Sequence, residues 1–293
     1  NSDPALADLD GDGTLEILVG SDDNYFYSIN SDGSERFSVY SSGDVRGSPT
    51  VEDVDGDGDL EIFYGSNIKK VFGLDHEGNE LTGWPQSSTS SFKTAPVFAD
   101  LNNSGQPSII AATSSGTLYA WDSGGNIMDN FPITLGGTVE GSLSINDIDG
   151  DGKLDIIVTN GNCGFGCSVS GVSVIRNIST DSELGFEYEY SDFYQYQSNS
   201  LPVGISISDL NGDGKPDLLT NDWMGGISIM VNSSTEGNIT LEEQIQIGVG
   251  NYPLSVATAD LNMDSTPEIV VANWEVEGLR VIHNFLPVSQ SPP

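Results

Sequence analysis

The chain has 293 residues, 44 of them acidic and 9 basic, for a formal net charge of −35, and 37% are hydrophobic. That balance excludes nucleic acid as a partner, because phosphate contacts need clustered Lys and Arg, and it disfavours an anionic membrane surface for the same reason. No run of about 18 apolar residues exists to span a bilayer, yet short apolar runs such as Leu15–Val19 and Ile269–Ala272 recur along the chain and mark it as folded.

The first of these runs follows the string Asp8-Leu-Asp10-Gly-Asp12-Gly-Thr14-Leu-Glu16. The string returns as Asp53-Val-Asp55-Gly-Asp57-Gly-Asp59-Leu-Glu61, and in its loosest form as Asp100-Leu-Asn102-Asn-Ser104-Gly-Gln-Pro-Ser108. It comes again as Asp147-Ile-Asp149-Gly-Asp151-Gly-Lys153-Leu-Asp155, then as Asp209-Leu-Asn211-Gly-Asp213-Gly-Lys215-Pro-Asp217. The last copy is Asp260-Leu-Asn262-Met-Asp264-Ser-Thr266-Pro-Glu268. Starts at 8, 53, 100, 147, 209 and 260 lie 45, 47, 47, 62 and 51 residues apart, so the chain is a repeat.

Each copy has the same surroundings. A short alternating run precedes it: Ala5–Ala7, Thr50–Glu52, Val97–Ala99, Leu143–Asn146, Ile205–Ser208 and Val256–Ala259. An apolar run of strand character follows, as at Glu61–Gly65, Ile156–Thr159 or Glu268–Ala272. Third runs lie at Tyr25–Ile29, Lys70–Leu74, Thr117–Trp121, Val172–Ile175, Ile227–Val231 and Leu279–His283. Most units close with a more polar run, such as Glu35–Tyr40, Phe186–Tyr196 or Thr240–Ile247. Period-two patterning without helical periodicity predicts an all-β protein. Four strands in each unit of about 45 to 50 residues predict a β-propeller of about six four-stranded blades, seven being the alternative. The acidic loops then join first to second strands.

A single propeller domain is expected over residues 1–284, with repeats starting near 3, 48, 95, 142, 203 and 254, and with residues 285–293 as a tail or short closing strand. The ring closes through that tail, through a seventh blade outside this chain or through a partner chain. The 62-residue step marks an insertion in the fourth unit, which holds Cys163-Gly-Phe-Gly-Cys167 and the stretch Phe186–Tyr196. In an oxidising compartment the two cysteines favour a short-loop disulfide of modest entropic value. Sequons stand at Asn102, Asn177, Asn232 and Asn238 and matter only in a glycosylating secretory pathway. No leader precedes Asn1, so one is expected to have been removed or trimmed.

The spacing of the strings is the chemistry of a hard cation. Asp at positions one, three and five places three side-chain oxygens around one point, and Gly at four and six allows positive φ. Position seven offers its backbone carbonyl, which explains why Thr14, Asp59, Lys153 and Lys215 are all tolerated there. Position nine closes the shell with both oxygens. All-oxygen ligation favours Ca²⁺, and Cys and His are absent from the loops. The candidate ligands are Asp8, Asp10, Asp12, Thr14 and Glu16; Asp53, Asp55, Asp57, Asp59 and Glu61; Asp147, Asp149, Asp151, Lys153 and Asp155; and Asp209, Asn211, Asp213, Lys215 and Asp217. A fifth set, Asp260, Asn262, Asp264, Thr266 and Glu268, lacks both glycines. The copy at 100 offers serines in place of acids and is expected to be empty. Asp-Gly runs are also ordinary turns, but a turn needs one Asp, and several anions within a few ångströms oppose folding without a cation.

Repeated acidic nonapeptides followed by an apolar strand ending in Gly-Ser or Ala-Asn, as at Gly20-Ser21, Gly65-Ser66 and Ala272-Asn273, resemble the FG-GAP/VCBS repeats of integrin α-subunit-type propellers. Gly248–Asn273 and Ser48–Ser66 carry the resemblance most closely, and it extends over nearly all of residues 3–284. It implies a calcium-binding propeller in an extracellular or cell-surface setting. The expected role is a binding or adhesion module for a glycan or an extracellular protein. Trp223 and Trp274, just past the second strands of their units, are candidate ligand-face aromatics, with burial between blades as the alternative. Trp84 and Trp121 are expected in the core. A subunit of a filament or surface layer, self-associating, is the second reading. An enzyme is not expected: His76 and His283 lie in no catalytic motif, and a polysaccharide lyase, the enzyme class next in line, would want Arg and Lys around an acidic sugar. The six loops hold 20 of the 44 acidic residues, so nearly half the negative charge is read as ligand chemistry.

Overall fold

The computed structural model describes all residues except 1, 136, 140, 162–170, 181–182, 188–201, 224–225, 251, 275–277, 285 and 287–293. The described residues form six antiparallel sheets, in chain order. The first holds β1 (Ala5–Ala7), β2 (Glu16–Gly20), β3 (Tyr25–Ile29) and β4 (Glu35–Tyr40), and the second holds β5 (Thr50–Glu52), β6 (Glu61–Ser66), β7 (Lys70–Leu74) and β8 (Gln86–Ser87). The third consists of β9 (Val97–Ala99), β10 (Ser108–Ala112), β11 (Thr117–Trp121) and β12 (Ile133–Thr134). The fourth has β13 (Leu143–Asn146), β14 (Asp155–Asn160), β15 (Gly171–Asn177) and β16 (Phe186–Glu187). The fifth has β17 (Pro202–Ser208), β18 (Asp217–Asp222), β19 (Gly226–Met230) and β20 (Ile245–Ile247). The sixth has three strands among the described residues, β21 (Pro253–Ala259), β22 (Glu268–Asn273) and β23 (Gly278–Ile282). No helix of the described residues is long and apolar enough to cross a membrane.

Strands one to three fall where the patterning puts them. β17 and β21 start earlier than their apolar runs, each through a bulge beside a proline that opens the strand, where a missing N–H is tolerated. Fourth strands vary, from six residues in β4 to two in β8 and β12. The sequences of β8 and β12 carry no apolar alternation to hold a longer ladder.

The chain divides into two compact units. Asn1–Val139 with Ser179–Gly185 contains sheets one to three, and Glu140–Ile178 with Phe186–Pro293 contains sheets four to six. Within each unit the sheets stack by a parity rule. Counting from the first Asp of a loop, residues ten and twelve places on face the following sheet, and residues nine and eleven face the preceding one. Leu18 thus packs with Ile62 and Tyr64, and Phe63 with Ile109 and Ala111. In the second unit Ile157 packs with Leu218, and Leu219 with Ile269 and Val271. The twelfth place is small because the next segment crosses it closely: a Cβ on Gly65 would lie 2.7 Å from that of Phe92. Buried on both faces, β6, β10, β14 and β18 read as continuous apolar runs. β2 exposes Ile17, and β23 exposes Leu279 and Val281.

Candidate metal centre

Each acidic string forms the turn between a first and a second strand. The Asp at position one organises it, since its carboxylate collects backbone N–H groups across the turn. Asp8 accepts from Gly13 at 2.9 Å, Asp53 from Gly58 at 3.1 Å, Asp147 from Gly152 at 2.9 Å and Asp209 from Gly214 at 2.9 Å. The glycines at positions four and six have φ of 69° and 87° in the first loop and 74° and 84° in the fourth. The Asp at position five accepts the N–H of position seven, as in Thr14 to Asp12 at 2.7 Å and Lys153 to Asp151 at 3.0 Å. Position nine is buried and takes the N–H of position two: Leu9 to Glu16, Val54 to Glu61, Ile148 to Asp155, Leu210 to Asp217 and Leu261 to Glu268, each at 2.9 Å.

In three loops the carboxylates converge. Ligand atoms of Asp8, Asp10 and Glu16, of Asp53, Asp55 and Asp57, and of Asp147, Asp149 and Asp155 lie within 4.8 Å of one another in each group. These residues suit a hard divalent cation, being oxygen donors only. The structure modifies one expectation: position nine has an oxygen committed to a backbone amide. Asp155 and Asp217 use both, the second accepting from Asn177 and Asn232 at 2.8 Å.

Electrostatics register the crowding. Burial pushes the Glu61 carboxyl up to about 7, with Asp55, Asp57 and Asp53 adding to the rise and the Val54 N–H opposing it. Burial likewise raises Asp155 to about 6 and raises Asp217. Basic side chains lean on several loops. Arg36 meets Asp10 in the first, and Arg176 reaches Asp149 at 2.5 Å and Asp151 at 3.3 Å in the fourth. His76 stands 3.6 Å from Asp59, and His283 stands 3.5 Å from Glu268. Sequence reasoning missed these pairs, which join residues 15 to 27 apart across the hairpins.

The third loop serves as an internal control. Asp100 takes the N–H groups of Ser104 at 2.8 Å and Gly105 at 2.7 Å, so the same turn forms with a single acid. The additional carboxylates elsewhere are therefore not needed for the turn. The fifth and sixth loops form no carboxylate trio among the described residues, because position three is an amide. Asn211 and Asn262 accept an N–H through Oδ1, and their Nδ2 groups donate to Asp213 at 3.3 Å and Asp264 at 3.0 Å. Each amide must turn over to offer oxygen inward. In the sixth loop Met263 and Ser265 take the glycine positions with φ of 63° and 72°.

Trp84 and Trp121 are buried, as expected, whereas Trp223 and Trp274 are exposed by 38% and 71%, against burial between blades. Asn177 and Asn232 are buried, and the Asn232 amide donates to the carbonyls of Ile148 at 2.8 Å and Pro216 at 3.0 Å. Asn232 thereby joins its repeat to the preceding one, whereas Asn177 donates to the carbonyl of Leu154 at 3.2 Å within its own, and a glycan on either would break that bonding. Asn102 and Asn238 are exposed. Cys163, Cys167 and positions 188–196 of the aromatic stretch lie outside the described residues.

An FG-GAP-like repeat family matches residues 8–64 and 209–271. The fold is similar to that of the Vibrio cholerae biofilm matrix protein Bap1, at a TM-score of 0.58 and 21% identity over 88% of this chain and 41% of that one. This chain therefore spans about two fifths of the length of Bap1. It is similar also to BBS1N, solved in complex with ARL6DN: a lead-soaked crystal gives a TM-score of 0.56 at 9% identity over 92% of this chain and 74% of that one. A mercury-soaked crystal gives 0.59 at 12% identity over 99% and 80%. No curated protein matches the sequence significantly. FG-GAP-like repeats are therefore matched in two stretches of the chain, and its antiparallel sheets of three and four strands are consistent with a β-propeller.

Proposed function

We propose that the chain is a secreted or cell-surface calcium-binding β-propeller, its six sheets being blades, and that it acts as a binding or adhesion module for a glycan or an extracellular protein. One observation carries the calcium reading. The turn at 100 forms with one acid, yet the turns at 8, 53 and 147 bring three carboxylates within 4.8 Å. Such crowding opposes folding unless a cation compensates it. Calcium would be held by the side-chain oxygens of positions one, three and five, by the carbonyl of position seven and by an oxygen of position nine, in the loops at 8, 53 and 147, then at 209 and 260, where Asn211 and Asn262 stand at position three. Bound there, it would neutralise the hairpin and hold the ends of two strands together.

The extracellular reading draws support from calcium levels outside cells, where sites of modest affinity stay filled, and from the likeness to a biofilm matrix protein. A non-enzymatic role fits the commitment of Arg36, Arg46 and Arg176 to aspartates, which withdraws them from any acidic substrate. A second reading, a self-associating subunit of an extracellular assembly, is favoured by the exposed Leu279 and Val281 on β23, an edge strand without a partner among the described residues. The deciding experiment is thermal melting with calcium and with EGTA. The melting temperature is expected to fall by many degrees on chelation, and superimposable curves overturn the calcium assignment.

A further inference from the structure

We propose that the loop ends of the fifth and sixth sheets form a binding site for an uncharged saccharide, built on Trp223, Tyr252 and Trp274; this rests on the reading of the chain as a binding module. The repeats themselves supply the control. Fourteen places after the first Asp of its loop, each repeat has Asp22, Asn67, Ser114, Gly161, Trp223 or Trp274. The turn past the second strand is therefore met by a small or polar residue in four repeats, and nothing in the fold asks for an indole in the other two. Both indoles are nevertheless exposed to water, at a cost in apolar hydration that folding does not recover.

Three separate chain segments bring the aromatics together. Tyr252, in the connection between β20 and β21, donates its N–H to the carbonyl of Trp223 at 3.2 Å. Its own carbonyl accepts the N–H of Trp274 at 3.1 Å. Its ring meets that of Trp223 edge to face, 5.2 Å between centroids at 72°. This arrangement holds Tyr252 at a φ of 55°, a conformation that an aromatic residue rarely adopts.

A second observation points to a ligand with hydroxyl groups. Asn273, next to Trp274 and only 8% exposed, has neither its amide nitrogen nor its amide oxygen hydrogen-bonded among the described residues. The buried Asn221, two residues before Trp223, donates its Nδ2 to the carbonyl of Pro253 at 2.8 Å and leaves its Oδ1 unpaired among the described residues. Buried amides without partners are costly and few. A sugar ring answers both features, since its C–H face stacks on an indole while its hydroxyls donate to and accept from an amide. The charge selects within that class: a surface at −35 repels polyanions, which leaves neutral glycans.

The test uses the 293-residue chain with saturating calcium. Neutral gluco-, manno-, galacto- and N-acetylglucosamine oligosaccharides are titrated by calorimetry and tryptophan fluorescence, with oligogalacturonate as the charged comparison. One neutral series is expected to bind and shift the emission. Trp274→Ala, whose side chain carries little of the packing, should weaken it about tenfold at an unchanged melting temperature. Trp223→Ala and Asn273→Ala should weaken it as well. The inference is overturned if no neutral series binds, if the charged series binds better, or if Trp274→Ala binds as the parent does. A protein partner that is retained equally by the parent and by Trp274→Ala leaves the binding-module reading standing and removes the saccharide.

Discussion

At the scale of single residues, the loops separate what a turn needs from what an ion needs. Asp at position one caps the turn in every repeat, including the one at 100. Positive φ at positions four and six is equally constant, and in the sixth loop Met263 and Ser265 bear it. A non-glycine residue in that region costs about 1–2 kcal/mol, and Met263 is 91% exposed, so it gives no packing in return. Met263→Gly and Ser265→Gly should each stabilise the protein by about 1 kcal/mol, visible as a rise of a few degrees in melting temperature. Position three decides ligand quality. Asn211→Asp puts a carboxylate where an amide nitrogen now faces Asp213; calorimetry should then detect a tighter calcium site, and a parental isotherm would remove Asn211 from the ligand set.

At the scale of the hairpin, the buried acid at position nine couples strand pairing to charge. Glu61 is raised to about 7 from an ordinary value of 4.5 because the fold buries it, beside Asp53, Asp55 and Asp57. A carboxyl raised on folding binds its proton more tightly in the native state. Its contribution to stability is therefore full below about 4.5 and is lost as pH rises through about 7. Asp155 and Asp217 shift in the same direction. The calcium-free protein should then melt at a lower temperature at pH 7.5 than at pH 5. With calcium the trend reverses, because protons compete with the ion for the same oxygens. Melting curves on a pH grid in EGTA and in calcium check both signs, and a calcium-free protein that gains stability from pH 5 to 7.5 contradicts the burial argument.

At the scale of the whole molecule, stability is carried between repeats. Within each unit a middle sheet buries one face on the preceding sheet and one on the following, and alternate residues of a single strand serve the two. Leu219 and Val281 illustrate the outcome: the first is fully buried among Ile227, Ile269 and Val271, while the second is 54% exposed. Leu219→Ala should cost about 2–5 kcal/mol, and Val281→Ala about 0.5 kcal/mol or less, as measured by denaturant unfolding. Asparagines at the ends of third strands reinforce the stacking, Asn232 donating to the carbonyl of Ile148 and Asn284 to that of Leu210. Periodicity alone carried the all-β class, the repeat number and the position of the acidic turns. Those properties depend on neighbours within a few residues, where spacing and residue type suffice. The acidic strings likewise named their own ligand candidates, because a nonapeptide turn is closed by local hydrogen bonds. What required the tertiary structure was everything that joins one segment to another: the arginines leaning on Asp10 and Asp149, the burial that raises Glu61, the exposure of Trp223 and Trp274, and the burial of Asn177 and Asn232, the second bonded to the preceding repeat. Such properties depend on which groups are brought together across tens of residues and on how much water is left beside them, and the order of residues along the chain states neither.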